Sequence, residues 1–200
     1  QPMQKLETRF KATGPYVEQE KAISAIQDSL LSREWGGAII NAPCGTGKTV
    51  VACEIARRIG KRTLVFCHKE FLVDQWEERI LEFMPDARVG RVKQKTCDYE
   101  NKDFVIALMQ SLSREDGNRY PKEFYDESFG LVIGDELRRA GSSTWSKILP
   151  LFKSAYRLGL DATLRRADGA ENAFWYHISD VTYRATSKSM VPQIRWLKTG

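Results

Sequence analysis

Eight consecutive residues, Ala42-Pro43-Cys44-Gly45-Thr46-Gly47-Lys48-Thr49, bring two glycines, a lysine and a hydroxyl together in a spacing suited to holding phosphate. Gly45 and Gly47 let the backbone bend closely enough for successive amides to face an anion. The run Val50 to Ile59 reads as a helix whose positive end would point at the same spot. Lys48 adds a point charge for the outer phosphates, and Thr49 a hydroxyl ligand for Mg²⁺. Ala42 stands where the commoner pattern has glycine. A strand-to-helix turn that binds nothing is the alternative, and Gly-Lys-Thr in register between two apolar runs favours the phosphate cradle.

A second chemical element lies about ninety residues on. Leu131-Val132-Ile133-Gly134-Asp135-Glu136 ends an apolar strand in two carboxylates, at the edge where open α/β sheets bind ligands. Asp135 suits Mg²⁺ held through its water shell. Glu136 suits a water that attacks a γ-phosphate, to be oriented or deprotonated. By itself an acidic pair after a strand is more often a solvated loop start or a helix cap, but after a phosphate cradle it reads as the second half of a nucleotide site.

These groups need a scaffold, and the apolar periodicity supplies one. Ala22, Ile23, Ile26 and Leu30 mark one face of a helix over 17–34, and Ala38-Ile39-Ile40 a strand leading into the cradle. Val51, Ile55 and Ile59 line the next helix, which Gly60 ends before a buried strand over 62–67. Leu72, Trp76, Ile80 and Phe83 predict a helix over 70–83 closed by Pro85, with Trp76 in the core. Strands follow at 87–92 and 104–108, a polar loop at 113–122, a strand at 129–133, a helix around 145–152 and a strand at 156–160. Residues 174–185 read as β-rich without a partner helix. Such alternation implies an α/β fold with a mostly parallel, doubly wound sheet and flanking helices.

Composition sets the outer bounds. The chain has 200 residues, 42% of them apolar, enough for one substantial core, and one large domain is expected. A net charge of +5 suits a phosphate-bearing partner without requiring one. Cys44, Cys53, Cys67 and Cys97 are spaced too widely for a zinc knuckle or redox pair, so reduced thiols and a soluble, cytoplasmic protein are expected. No apolar stretch spans a bilayer, and residues 1–10 are too polar for a signal peptide.

With these residues in place, nearly the whole chain resembles the first RecA-like domain of superfamily-2 DEAD/DEAH-type helicases and translocases, a P-loop NTPase fold. The resemblance is strongest to the XPB-like, phage repair and type III restriction helicase group. Residues 42–49 resemble its motif I, Gln19 its adenine-reading glutamine, and 65–76, with His68-Lys69 and Gln75-Trp76, its motif Ia. Gln110-Ser111-Leu112 looks like motif Ib. The resemblance implies ATP and Mg²⁺ as cofactors, Lys48, Asp135 and Glu136 as catalytic residues, and Thr49 with Asp135 around the metal. It also implies a nucleic-acid backbone, DNA favoured over RNA, along His68, Lys69, Gln110 and Ser111, a task suited to amides, hydroxyls and cations. His68 as a structural histidine and Lys69 as a solvated charge are the alternatives.

Motifs II and III depart from the family. Asp-Glu-Ala-His becomes Asp135-Glu136-Leu137-Arg138, and Ser-Ala-Thr-Pro becomes Asp161-Ala162-Thr163-Leu164. A His-to-hydroxyl contact is replaced by an expected Arg138–Asp161 ion pair, unless both charges face water. Leu137 is expected to pack on Leu164, and Gly134 to leave space. Changes so clustered mark either a decayed paralogue or a redesigned site. The resemblance makes 1–170 the first domain and 171–200 a tail leading to an interdomain hinge. The second RecA-like domain with its arginine finger is absent from the sequence, so little or no hydrolysis by this chain alone is expected. A non-enzymatic scaffold with a redesigned surface and a stand-alone P-loop kinase or transferase are the competing readings.

Overall fold

The computed structural model describes residues 2–11, 17–32, 34–112, 120–127, 129–140, 142–162 and 172–185. Helix α1 (Val17–Leu31) precedes β1 (Gly36–Asn41), and α2 (Lys48–Ile59) precedes β2 (Thr63–Cys67). Then come α3 (Glu70–Phe83), β3 (Val89–Lys93), β4 (Thr96–Cys97), β5 (Phe104–Leu108), α4 (Met109–Leu112) and α5 (Lys122–Asp126). The described chain continues with β6 (Leu131–Asp135), α6 (Leu137–Ala140), α7 (Ser142–Ile148), a 3₁₀ turn at Leu149–Leu151, β7 (Tyr156–Asp161), α8 (Asn172–His177) and β8 (Val181–Arg184).

The strands form one sheet in the order β4-β3-β5-β2-β6-β7-β1-β8, parallel at every pairing except β3 with β4. β1 and β6 both flank β7, so the phosphate cradle after β1 and the carboxylates at the end of β6 emerge one strand apart on the same edge. Sequence order places them far apart, and sheet order brings them together.

Alternation along β2 shows why the sheet is covered on both faces. Val65 and Cys67 pack into a core beneath α1, α2 and α3 with Ile26, Ile55 and Trp76, while Leu64 and Phe66 face Phe124, Trp145 and Phe152 on the other side. The second core is an aromatic cluster, with Phe66 5.9 Å edge-on to Trp145 and 5.5 Å from Phe152. This is the architecture expected from the βα alternation.

Several local expectations are corrected. The helix expected at 145–152 starts at Ser142 and gives way to a 3₁₀ turn at Leu149, because Pro150 has no N–H to continue it. The segment read as β-rich begins as α8, with Phe174 in the core. Only Val181–Arg184 is a strand, added parallel to β1 at the sheet edge. Helix α1 stops at Leu31 rather than 34, and the strand expected at 87–92 runs Val89–Lys93. The expected loop at 113–122 ends in α5 at Lys122, its residues 113–119 lying outside the described set.

Candidate functional site

The cradle forms because two of its residues lie where side chains are disfavoured. Gly45 and Gly47 both have φ of 80°, in the left-handed region, and Gly47 is the N-cap of α2. Ala42 continues from β1 with its amide on the Asp161 carbonyl at 3.0 Å, fixing the loop's first residue to the end of β7. Lys48 folds back, its Nζ donating to the Ala42 carbonyl at 2.6 Å and the Pro43 carbonyl at 3.0 Å. Thr46 donates to the Pro43 carbonyl at 2.8 Å. Gln19 donates to the Thr46 carbonyl at 3.1 Å and lies against Gly47, so α1 holds the loop from outside. Cys44 is exposed at the tip.

A cleft of about 830 Å³ runs from this loop to the carboxylates. Gly45, Lys48, Thr49, Gln19, Asp135 and Glu136 all line it. Asp135 is buried, and burial, with the neighbouring Glu136 charge, pushes its carboxyl above the ordinary range despite an indole donor and the Lys48 charge. That donor is Trp76, whose Nε1 lies 2.8 Å from Asp135 Oδ2. Glu136 turns the chain with φ of 48°, a costly conformation for a side-chain-bearing residue. The turn brings Glu136 within 3.7 Å of His68 Nε2 and 3.4 Å of Arg139 Nε.

A buried carboxylate destabilised by desolvation and open to a cleft that also holds a lysine and a threonine hydroxyl fits a divalent cation bound with a phosphate ligand. Among the described residues no cluster of three or more His, Cys, Asp or Glu forms a cage.

Beside the cleft, at the ends of β2 and β5, lie the residues expected to meet a nucleic-acid backbone. Lys69 is exposed at the N-cap of α3, 5.8 Å from the centre of the Phe71 ring. Gln110 is exposed and donates to the His68 carbonyl. His68 is buried, its Nδ1 without a hydrogen-bond partner among the described residues, and burial lowers its pKa. Ser111 is buried too, its hydroxyl accepting the Gln94 amide at 3.0 Å. Lys69 and Gln110 therefore present an outer surface, whereas His68 and Ser111 tie the strand ends together.

The altered motifs meet as expected but by different contacts. Asp161 Oδ2 accepts the main-chain amide of Arg138 at 2.7 Å, so the buried carboxylate caps α6 where a side-chain ion pair was expected. Arg138 extends to the exposed side. Leu137 is fully buried beside two glycines, its expected contact with Leu164 lying outside the described residues: a Cβ at Gly134 would lie 2.8 Å from Leu137 Cδ2 and 2.7 Å from Trp145 Cη2, and one at Gly159 2.6 Å from Leu137 Cδ1. The space left by Gly134 is thus filled by Leu137 and Trp145, whose Nε1 donates to the Leu137 carbonyl at 2.8 Å. Thr163 and Leu164 lie outside the described residues.

Sequence reasoning placed Trp76 in the core, where only 1% of it is exposed, yet missed its bond to Asp135. The signal was available, since a buried tryptophan must find an acceptor for its N–H and the strand ends nearby carry carboxylates. Arg9, Phe10 and Lys11, also unforeseen, line the cleft from the N-terminal segment. The four cysteines are free; burial pushes Cys53 up to about 12 and Cys97 up to about 11. Among the described residues no helix is long and apolar enough to cross a membrane.

Residues 13–166 match the family described as type III restriction enzyme, res subunit. A protein of Acanthamoeba polyphaga mimivirus named as an ATP-dependent RNA helicase is 35% identical over 144 residues, covering 72% of this chain and 27% of the relative. The DNA 3'-5' translocase XPB2 of Sulfurisphaera tokodaii is 32% identical over 156 residues, 76% of this chain and 33% of its own length. The chain thus spans about a third or less of these relatives. In fold, the UvsW helicase of bacteriophage T4 superposes with a TM-score of 0.67 at 19% identity, covering 90% of this chain and 64% of that one. The Sulfolobus solfataricus SWI2/SNF2 ATPase core, solved with dsDNA, gives 0.65 at 18% identity over 89% of this chain and 37% of its own. The chain belongs to the type III restriction enzyme res-subunit family and has the RecA-like fold of these neighbours.

Proposed function

We propose that the chain binds ATP with Mg²⁺ in the cleft beside β1 and β6 and serves as the nucleotide-binding lobe of a helicase or translocase that tracks a nucleic-acid backbone. The observation that carries this reading is the convergence of the left-handed Gly45/Gly47 loop, Lys48 and Thr49 with the buried Asp135 on one cleft. Loop amides and the start of α2 hold the phosphates, and Lys48 exchanges the Ala42 and Pro43 carbonyls for phosphate oxygens. Thr49 and Asp135 would hold the metal, which would neutralise charge on the phosphates. Trp76 fixes the Asp135 carboxylate. Glu136, kept near His68 and Arg139, orients the attacking water or takes its proton.

Lys69 and Gln110 contact the backbone from the adjoining surface. DNA is the favoured polymer on the motif resemblance, although one relative is named for RNA and another for DNA. Efficient turnover in this reading needs charge stabilisation supplied across the cleft by a second lobe.

The test is calorimetric titration with ATP, with and without Mg²⁺, on the parent and on Lys48→Ala. We expect Mg²⁺-dependent binding in the parent and about tenfold or greater weakening in the variant, as loss of a charge-assisted contact implies. Identical binding by both, or none by the parent at millimolar nucleotide, refutes the assignment.

A further inference from the structure

A second groove, of about 500 Å³, lies at the opposite edge of the sheet, where β1 and β7 begin. The length of β1 separates it from the phosphate cradle, roughly 20 Å at strand rise. Its distinguishing feature is Arg157. Every other buried or half-buried arginine among the described residues meets a carboxylate: Arg57 and Arg58 meet Glu54, Arg62 meets Glu127, and Arg91 meets Asp74 and Glu77. Arg157 is half-buried, and its bonds among the described residues go to neutral oxygens, the His177 carbonyl at 2.8 Å and Ser154 Oγ at 3.5 Å.

A guanidinium cannot shed its charge by deprotonation, so partial desolvation without an anion is a standing cost. Nearby His177 does not add charge at neutral pH, since burial and Arg157 both lower its pKa. The groove walls are also unusual. Trp35 is 76% exposed and Tyr176 87% exposed, the two most exposed large apolar side chains among the described residues, and both line this groove. Flat aromatic faces beside an uncompensated cation are the chemistry that holds a nucleotide unit, with stacking for the base and a charge-assisted bond for the phosphate.

We propose that this groove is a second nucleic-acid contact, taking one unit of a single strand with its phosphodiester on Arg157 and its base against Trp35 or Tyr176. The site is independent of the ATP cleft and stands on the opposite side of the sheet from Lys69 and Gln110, so it does not rest on the proposed function. A strand engaging both surfaces would wrap the domain rather than cross one edge of it. An acidic peptide supplies the anion but no base, which leaves the exposed rings without a role.

The test is photo-cross-linking of the chain to an oligothymidylate carrying 5-iodouracil, with adducts mapped by peptide mass spectrometry. Expected are adducts on Trp35 or Tyr176, lost in Arg157→Gln and retained in Arg157→Lys, with the double variant Trp35→Ala/Tyr176→Ala binding the oligonucleotide about tenfold more weakly. Because both aromatics are exposed, that variant folds even if Arg157→Gln does not. Adducts confined to the Lys69 and Gln110 surface, or a yield unchanged by Arg157→Gln, overturn the proposal. Labelling by 5-iodo-deoxyuridine monophosphate as efficient as by the oligomer overturns the strand as occupant in favour of a free nucleotide. Displacement of the oligomer by polyglutamate from these two residues overturns it in favour of an acidic peptide.

Discussion

Replacing Trp76 with Phe removes one hydrogen-bond donor from a buried contact at the candidate cleft. The indole is 1% exposed, Asp135 is 8% exposed, and their atoms lie 2.8 Å apart. A bond to a charged group of this kind contributes about 1.5–3 kcal/mol. The smaller ring forfeits roughly 1–2 kcal/mol more of packing. Trp76→Phe should therefore cost about 2.5–5 kcal/mol by urea unfolding. Asp135→Ala behaves differently, because it loses the same bond but also relieves the fold of a carboxylate that burial disfavours. In that background the indole has lost its acceptor, so Trp76→Phe should cost only the ring contraction, about 1–2 kcal/mol. The coupling from the full double-mutant cycle is the difference, about 1.5–3 kcal/mol. If Trp76→Phe costs the same in both backgrounds, within about 0.5 kcal/mol, then Trp76 is only a packing residue and its role in fixing the Asp135 carboxylate is refuted.

Three further predictions concern residues around that site. Gly134→Ala should destabilise by about 1–3 kcal/mol through overpacking against Leu137 and Trp145, and Leu137→Ala in the same chain should restore much of it; additive denaturation free energies would refute the paired replacement. Asp161→Ala should cost about 1 kcal/mol or more as a lost helix cap, whereas Arg138→Ala should cost less, since the contact with Asp161 is made by the main-chain amide; equal losses in urea melts would show that the side chain carries it. For Asp103, burial raises the carboxyl pKa, but bonds from Arg88 and the Gln4 amide outweigh burial and hold it below the ordinary value of 3.8. A depressed acid stabilises the fold above its unfolded pKa and loses that contribution as pH falls through the folded one. Asp103→Asn should thus destabilise at pH 7, with the gap to the parent closing below about pH 4; a gap constant in pH melts rules this out.

What the sequence determined by itself was local. Gly45, Gly47, Lys48 and Thr49 lie within five residues, and the left-handed backbone that the two glycines allow shapes the cradle locally, while α1 and the end of β7 hold it in place. Apolar spacing likewise located α2, α3, β2, β5 and β7 to within two residues, because periods of 3.6 and 2 are properties of the chain. The failures lie where a neighbour decides. Residues 174–177 carry aromatic rings that suit strand and helix alike, and burial of Phe174 beside Trp145 in the second core selects the helix. The Arg138–Asp161 expectation named the right partners because β6 and β7 are adjacent, but which atoms meet depends on how α6 leaves Glu136, a turn with positive φ that no residue type announces. Trp76 reaches Asp135 across 59 positions of sequence only because β2 and β6 pair in parallel beneath α3. Contacts between distant residues follow from strand order and packing, and those are fixed by the whole sheet rather than by any one segment.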